Sequence, residues 1–275
     1  MTEQVAGDVS RALAEDIGSG DLTAQLLPAD QTAKARVITR ENAVVAGRPW
    51  FDACFQALDP ACRIDWQVSE GDSVSADTVL VEITGLARAL LTAERPALNF
   101  LQTLSAVATA TRPYVDAVRG TRAAILDTRK TVPGLRVAEK YAVRVGGGQN
   151  QRIGLYDGIL IKENHIAASG GIGAALDAAF RLAGDKVSVQ IEVESLDELE
   201  QALAAGAPLI LLDNFSLPQM RSAVQITQGR ARLEASGNIS LANVREIAET
   251  GVARISIGAL TKHIQAVDLS MRLEE

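Results

Sequence analysis

The sequence predicts an α/β protein whose second half is a barrel of parallel strands. In that half, apolar runs typical of strands alternate with segments of helical periodicity. The apolar runs lie at 124–126, 159–161, 187–193, 209–212, 232–235 and 254–257. Such alternation makes a parallel sheet, and six or seven units of this kind favour a barrel over an open sheet.

The first half has a different pattern, typical of an α+β domain. Residues 2–17 predict an amphipathic helix that ends near Gly18, and 49–58 has helical spacing. Strands are predicted at 35–39, 43–46, 64–68 and 79–83. Residues 86–119 are helical in character, with Pro96 expected at or near a helix start. We therefore place one domain at 1–112, including this helical connector, and a second at 113–275.

Helices of the second half have recognisable start and stop residues. They are predicted at 195–205, 217–227 and 241–250. Ser195, Ser216 and Ser240 are the expected N-caps, and Gly206, Gly229 and Gly251 the expected stops.

Composition narrows the possible functions. The net charge is -7 and the pI is about 5.1, which argues against a nucleic-acid partner because phosphate binding needs a broad basic face. No apolar stretch reaches the length of a spanning helix and residues 1–20 do not resemble a signal peptide, so we expect a cytoplasmic protein without a membrane partner. Cys54 and Cys62 form no CxxC motif, which makes a disulfide framework or thiolate metal site improbable.

The segment 125–165 is basic although the chain is acidic. It carries seven cations and four anions. Arg129, Lys130 and Lys162 lie just after apolar runs, so they are expected at one rim of the parallel sheet. Ligands of α/β proteins bind at that rim, and these cations suit a small anion.

Carboxylates are predicted at the same rim. The run 187–194 alternates, which directs Gln190, Glu192 and Glu194 into the barrel mouth, and Asp213 follows the next strand. Carboxylates at consecutive strand ends suit Mg²⁺ shared with substrate phosphates. The alternative is that these acids only balance the nearby lysines and arginines.

Two glycine-containing strand ends predict a phosphate site. They are Ser236-Gly237-Asn238 and Gly258-Ala259-Leu260. The last loops of α/β barrels commonly bind phosphate through backbone N–H groups. The only histidines, His165 and His263, belong to no recognisable nucleophile motif, so a hydrolase triad is not expected. The site is thus suited to stabilising charge on anionic substrates.

Several motifs, in order along nearly the whole chain, resemble the quinolinate phosphoribosyltransferase family. They are EDIGSGDLT, TAERPALNFLQTLS, ILDTRKTVPGLR, YAVRVGGGQNQR, GILIKENHI, IEVESLDEL, ILLDNF, EASGNIS and TGVARISIGALTKH.

The resemblance implies an N-terminal α/β sandwich domain followed by an open seven-stranded α/β barrel. It implies transfer of the phosphoribosyl group of 5-phosphoribosyl 1-pyrophosphate to quinolinate with Mg²⁺ present, giving nicotinate mononucleotide, pyrophosphate and CO₂. It also implies a homodimer in which Arg95 completes the neighbouring subunit's site, with further association left open.

The resemblance assigns roles to individual residues. It places Arg129, Arg152 and Lys162 on the quinolinate carboxylates, Lys130 between the two substrates, and Glu192 and Asp213 at the ribose and metal. Lys130, Glu192 and Asp213 are the expected catalytic residues. The remaining substrate-binding residues are Arg95, Thr128, Gln151, Ser236, Gly237, Asn238, Gly258, Ala259 and Leu260.

The chain departs from the family pattern at Gln151, where many members have histidine. Glutamine still donates a hydrogen bond but carries no charge. Two alternatives stay open: a paralogous phosphoribosyltransferase for another aromatic carboxylate, and a non-catalytic module that binds phosphorylated metabolites.

Overall fold

The computed structural model describes residues 2–274, which fold into two compact units. The first unit comprises the chain up to Arg112, Thr131–Gly147 and the chain from Thr261 onward. The second comprises Pro113–Lys130 and Gly148–Leu260.

The first unit combines helices with an antiparallel sheet. Its helices are α1 (Thr2–Ile17), α2 (Arg48–Leu58), most of α3 (Ala87–Ala117), and α4 (Arg136–Val145), with a short 3₁₀ turn at Ala24–Leu26. Its strands are β1 (Thr32–Thr39), β2 (Ala43–Val44), β3 (Arg63–Trp66), β4 (Ser73–Val74), β5 (Val79–Leu86) and β12 (Leu269–Leu273). The main sheet has the order β12-β1-β5-β3, and β2 pairs with β4. The predicted α/β sandwich agrees with this helix-and-sheet unit.

The prediction that Pro96 starts a helix is wrong, because Pro96 lies inside the 31-residue helix α3. A proline inside a helix removes one hydrogen bond and costs roughly 3 kcal/mol. Pro96 is buried, as are Leu98, Leu101 and Leu104 on the same helix. Burial of each such leucine is worth about 1.5–3 kcal/mol, so packing outweighs the local penalty.

The second unit contains the parallel sheet. Its strands are β6 (Ala124–Leu126), β7 (Gly158–Ile161), β8 (Ser188–Val193), β9 (Leu209–Asp213), β10 (Arg232–Ser236) and β11 (Arg254–Ser256), in the spatial order β6-β11-β10-β9-β8-β7. Its helices are α5 (Glu163–Ser169), α6 (Ile172–Ala183), α7 (Leu196–Ala204), α8 (Leu217–Thr227) and α9 (Val244–Glu249), and α10 (Ala259–Lys262) begins where the unit ends.

The predicted fold class, an α/β barrel, is confirmed, but the predicted number of seven strands is not. Six strands form the sheet, and a single parallel bridge joins Leu126 to Gln149, where a further strand beside β6 would lie. The segment around Gln149 follows Gly146, Gly147 and Gly148, which pack poorly in a strand. This explains why it contributes one bridge instead of a strand.

The predicted helix boundaries are mostly confirmed. Ser195 accepts a hydrogen bond from the Glu198 backbone N–H, and Ser216 accepts one from Gln219. Ser240 does not cap a helix, because α9 begins only at Val244 and Asn243 takes the N-cap position. The Asn243 side chain instead accepts a hydrogen bond from the Ser240 backbone.

The compact units are not consecutive in the sequence. The division into 1–112 and 113–275 remains a prediction about domains. The structure assigns Thr131–Gly147 and the chain from Thr261 onward to the first unit. In the latter segment, β12 pairs with β1. Among the described residues no single helix is long and apolar enough to cross a membrane, although the bent pair α5 and α6 passes a length and composition test when taken together.

Candidate active site

The carboxyl ends of the parallel strands bring most of the predicted site residues to one edge of the second unit. Lys162 follows β7, Glu192 lies near the end of β8, and Asp213 ends β9. Asp213 is directly in register with Ser236 on β10. Thr128, Arg129 and Lys130 follow β6, and Gly258 follows β11. Parallel strands end at the same edge, so the topology itself assembles this group.

Lys130 is held close to the loop after β11. Its backbone N–H donates to the Thr128 hydroxyl at 3.0 Å. A Cβ added to Gly258 would lie 2.9 Å from Lys130 Cδ and 3.5 Å from Thr128 Oγ1. Gly258 therefore leaves room for the lysine stem, while Ala259 and Leu260 open α10 directly after it.

The loop that carries Gln151 and Arg152 is fixed by the buried Asp127. Asp127 is fully buried and accepts hydrogen bonds from the Asn150 side chain and from the Gln151 backbone N–H, the latter at 2.9 Å. The Gln151 side-chain oxygen accepts from the Arg152 backbone at 2.9 Å. Asp127 was not singled out from the sequence, although an acid directly after a buried strand could have indicated it.

Arg152 is a partly buried cation beside a second cation. Its Nη1 donates to the Gly158 carbonyl at 2.9 Å. Burial and the charge of Arg129 both lower the pKa of the Arg152 guanidinium, while the charge of Asp157 raises it. Within the described residues the Arg152 Nε is buried without a hydrogen-bond partner. Two adjacent guanidiniums with an unused donor suit an anionic ligand.

Lys162 and Glu192 form an ion pair across β7 and β8. The Lys162 ammonium lies 2.7 Å from Glu192 Oε2, with 44% and 11% of the two side chains exposed. The Lys162 side chain is therefore partly open to solvent, whereas most of the Glu192 side chain is buried. His165 accepts a hydrogen bond from the Lys162 backbone N–H through Nδ1 at 3.0 Å, so it orders the start of α5.

Asn214 connects the loops after β9 and β10. Its side-chain N–H donates to Asp213 at 2.8 Å, and its side-chain oxygen accepts from Asn238 at 3.3 Å. A Cβ on Gly237, whose φ is +98°, would lie 2.1 Å from that same Asn214 oxygen. Gly237 is therefore required by both its backbone conformation and its close contact. Asn214 was not predicted as a site residue, although it follows Asp213 at a strand end.

Arg95 is the one predicted site residue outside the second unit. It lies on α3, and its side chain is exposed. The contribution of Arg95 to a neighbouring subunit remains a prediction.

Three further polar residues lie inside the barrel, below the strand ends. Gln190 is buried on β8, Glu234 is buried on β10, and Arg254 lies on β11. Gln190 donates to Glu234 at 3.0 Å, and Arg254 Nε lies 3.0 Å from the same carboxylate oxygen. Alternation predicted that Gln190 points inward, but its hydrogen-bond partner Glu234 is 44 residues away and could not be deduced.

A cavity of about 160 Å³ adjoins Glu192 on the side of α5. Four glutamates dominate its lining, so it would repel phosphates and carboxylates. The anionic substrates are therefore expected over the cations and glycine loops. The cavity is lined by Glu163, Ile166, Ala167, Glu192, Glu194 and Glu198.

Two family models together match most of the chain. The family model for the C-terminal domain of quinolinate phosphoribosyl transferase matches residues 107–272, and the model for its N-terminal domain matches residues 21–105. The chain is 42% identical over 257 residues to a Bacillus subtilis protein named probable nicotinate-nucleotide pyrophosphorylase (carboxylating), covering 94% of this chain and 89% of that protein. It is 37% identical over 293 residues to a Nicotiana tabacum quinolinate phosphoribosyltransferase (decarboxylating), covering 99% and 83%.

A solved structure shows the same fold over the whole length. The nicotinate-nucleotide pyrophosphorylase of Francisella tularensis superposes with a TM-score of 0.95 at 46% identity, covering 100% of this chain and 97% of that one. Both family models, the sequence identities and the fold lead to one conclusion. The chain belongs to the quinolinate phosphoribosyltransferase family.

Proposed function

We propose that the protein transfers the phosphoribosyl group of 5-phosphoribosyl 1-pyrophosphate to quinolinate with decarboxylation, as a pentosyltransferase of NAD biosynthesis. The single observation that carries this proposal is the arrangement of the strand ends. Cations at β6 and β7 adjoin carboxylates at β8 and β9 and glycine loops at β10 and β11. The two relatives and the solved structure named above bear the names of this activity.

Quinolinate carries two carboxylates, and the cations favour such a substrate. In the proposal Arg129, Arg152 and Lys162 bind these carboxylates, and Gln151 lies beside them. Arginine can hold a carboxylate through two parallel hydrogen bonds, which fixes its orientation. A monocarboxylate would leave part of this positive charge unpaired, at a cost that rises with burial.

The phosphoribosyl donor takes the remaining positions. Backbone groups of Ser236, Gly237 and Asn238 and of Gly258, Ala259 and Leu260 bind its 5-phosphate. Lys130 lies between the two substrates, where its charge would stabilise negative charge on both. Glu192 and Asp213 face the ribose. Their carboxylates would stabilise the positive charge that develops at C1 of the ribose as the bond to pyrophosphate breaks.

Mg²⁺ is the proposed cofactor, and the donor set is compatible with it. Within residues 2–274 no group of three or more His, Cys, Asp or Glu side chains is placed to hold a metal ion. Glu192 and Asp213 alone suit Mg²⁺, which binds through one or two carboxylates and keeps waters and substrate phosphates as its other ligands. When bound, the ion would offset the charge of the leaving pyrophosphate.

The chemistry needs positioning more than a nucleophilic side chain. The quinolinate ring nitrogen bonds to C1 of the ribose as the bond to pyrophosphate breaks. The nitrogen is then cationic, so the electrons of the neighbouring carbon–carboxylate bond can remain on the ring when CO₂ leaves. That carbon then takes up a proton and yields nicotinate mononucleotide. The arginines supply orientation, which is worth several kcal/mol in enzymes.

A coupled assay tests this function. The protein is incubated with quinolinate, 5-phosphoribosyl 1-pyrophosphate and Mg²⁺, and CO₂ and nicotinate mononucleotide are measured together. Equal amounts of the two products, with no product when nicotinate replaces quinolinate, are expected. If the phosphoribosyl donor binds but no product forms, the paralogue that uses another aromatic carboxylate becomes the better assignment. Donor binding that is indifferent to Mg²⁺ would instead favour a non-catalytic binding module.

A homodimer with Arg95 shared across the interface is also part of the proposal, as is a cytoplasmic location. The free thiols of Cys54 and Cys62 are compatible with a reducing compartment. Mixing Arg95→Ala with Lys162→Ala protein should restore about a quarter of the sites if subunits exchange randomly, because half of the dimers are mixed and each has one complete site. No recovery after verified exchange would place Arg95 in its own subunit's site.

A further inference from the structure

A row formed by one ion pair and two hydrogen bonds joins the interior of the barrel to the predicted quinolinate pocket. Arg254 pairs with Glu234 at 3.0 Å, and Glu234 accepts from Gln190 Nε2 at 3.0 Å. Gln190 Oε1 in turn accepts from Gln151 Nε2 at 2.8 Å. Glu234 and Gln190 are 1% and 5% exposed, so this interior part of the row is shielded from water.

The carboxylate at one end fixes the direction of both amides. An ionised carboxylate only accepts hydrogen bonds, so Gln190 must direct its NH₂ group toward Glu234 and its oxygen toward Gln151. Gln151 must then donate through Nε2, which leaves its oxygen to accept from the Arg152 backbone at 2.9 Å. Reversing either amide would place two hydrogen-bond acceptors against each other in a buried setting, which is unfavourable.

The row therefore acts on the loop that carries Arg152. Asp127 holds that loop from one side through the Gln151 backbone and Asn150, as described above. Without Gln190, the loop would keep the Asp127 contacts but the Gln151 amide could rotate. The Gln151 oxygen would then no longer be held in place for the Arg152 backbone.

We propose that Glu234 and Gln190 are positioning residues for quinolinate binding, acting through the side chain of Gln151 on the Gln151–Arg152 loop. This inference rests on the proposed function for the identity of the ligand. The hydrogen-bond geometry itself does not depend on it. Neither residue touches substrate in this proposal, and the two hydrogen bonds of the row lead to Gln151, on the quinolinate side of the site.

Gln190→Met is the primary test variant, because methionine keeps the length of glutamine and removes both hydrogen bonds. Glu234→Gln is the conservative variant: the new amide can still accept from Gln190, but it no longer dictates direction. Leu211→Met is the matched control. Leu211 is buried on β9 in register with Glu234, and this change alters interior packing without removing a polar group.

Kinetic measurements distinguish a selective effect on quinolinate binding from a general disturbance of the active site. For Gln190→Met the KM for quinolinate is expected to rise about tenfold or more, because the hydrogen bond that holds the Gln151 amide is lost. The KM for the phosphoribosyl donor should stay within about twofold, Glu234→Gln should show a smaller quinolinate effect, and Leu211→Met should resemble the parent. Equal rises in both KM values would overturn the proposal.

A second measurement, by NMR, does not depend on catalytic activity. The side-chain NH₂ signals of Gln151, assigned by their loss in Gln151→His, are followed by NMR in each folded variant. They should shift in Gln190→Met and Glu234→Gln but not in Leu211→Met. Unchanged Gln151 signals in Gln190→Met would overturn the proposal whatever the kinetics. If the parent protein forms no product from quinolinate, the proposed function fails, and the NMR signals still decide whether Glu234 and Gln190 position Gln151.

Discussion

The two halves of the barrel rim differ in how their site residues are held: by contacts of long side chains in one half, and by a close approach to a glycine in the other. The basic half comprises the ends of β6 and β7 with the Gln151–Arg152 loop, and there long cationic side chains are held by neighbouring groups. The acidic half comprises the ends of β8, β9 and β10, where Gly237 leaves no room for a Cβ beside Asn214. Both halves should lose activity when their charged side chains are removed, but the acidic half should also be sensitive to atoms added at Gly237.

The largest effect on turnover is expected for Lys130→Ala in the basic half. Removing a cation that stabilises charge on both substrates should lower kcat by about 10²–10³-fold, as loss of a preorganised electrostatic group does in other enzymes. Steady-state formation of nicotinate mononucleotide measures this. Lys186→Ala, on an exposed turn before β8, is the control. A Lys130→Ala enzyme with normal kcat would remove Lys130 from the chemistry.

Gly237→Ala tests the acidic half by adding a single methyl group. The new Cβ would lie 2.1 Å from Asn214 Oδ1, so Asn214 must move and release Asp213. We expect the KM for the phosphoribosyl donor to rise about tenfold or more, with a destabilisation of about 1–3 kcal/mol from strain.

Gly206→Ala is the matched control for Gly237→Ala. Gly206 also has a positive φ, +78°, but a Cβ there meets nothing within 4 Å. The Gly206→Ala variant should therefore be destabilised by backbone strain, but its KM for the phosphoribosyl donor should not change. A similar KM change in both variants would mean that strain, and not the contact with Asn214, affects the site.

Arg152→Lys should cause a smaller, selective change in the basic half. Lysine keeps the charge but loses the planar fork and the bond from Nη1 to the Gly158 carbonyl. The KM for quinolinate is expected to rise about tenfold, while the KM for the donor stays within about twofold. Initial rates at varied concentrations of each substrate distinguish this from a uniform effect on both.

Gln151→His should leave turnover within about an order of magnitude, because an imidazole can also donate a hydrogen bond toward Gln190. Rates from pH 6 to pH 8 would reveal a new titration if the histidine becomes charged. Complete loss of activity would show that a neutral amide at this position is needed.

No change in either KM is expected for Glu139→Gln, which lies outside both halves. Burial raises the pKa of Glu139 from 4.5 to about 7, against the opposing effects of the Val132 N–H and Arg136. The folded state holds this proton more tightly than the unfolded state, so the contribution of Glu139 to stability is greatest below pH 4.5 and decreases as the pH rises to about 7.

The Glu139→Gln substitution should remove this decrease, which is at most about 3 kcal/mol. Urea midpoints measured from pH 5 to pH 8 check it. A parent protein whose midpoint shows no such decrease, or a variant that keeps it, would contradict the assignment to Glu139.

Local patterns predicted most of the elements but few of the contacts. Ser195 and Ser216 were identifiable as caps because each bond spans only three residues. Pro96 was misplaced because burial along α3 is a tertiary property, and the seventh strand was reduced to one bridge at Gln149.

Site residues were predictable where they end strands, and less so where their partners are remote. Lys162, Glu192 and Asp213 were found because parallel strands end at one edge. Glu234 was missed because its role depends on Gln190, which is 44 residues away in the chain. Register between strands that are distant in sequence brings such pairs together, and no local pattern encodes it.

The pairing of β12 with β1 bears on how the chain folds during synthesis. Residues 269–273 complete one edge of the sheet that begins at Thr32, so that sheet lacks its edge strand until nearly all of this sequence has been translated. The parallel strands β6 to β11 are all available earlier. Although the first unit begins the chain, it is expected to be the last to acquire its complete sheet, and until then β1 offers an unpaired edge to other chains.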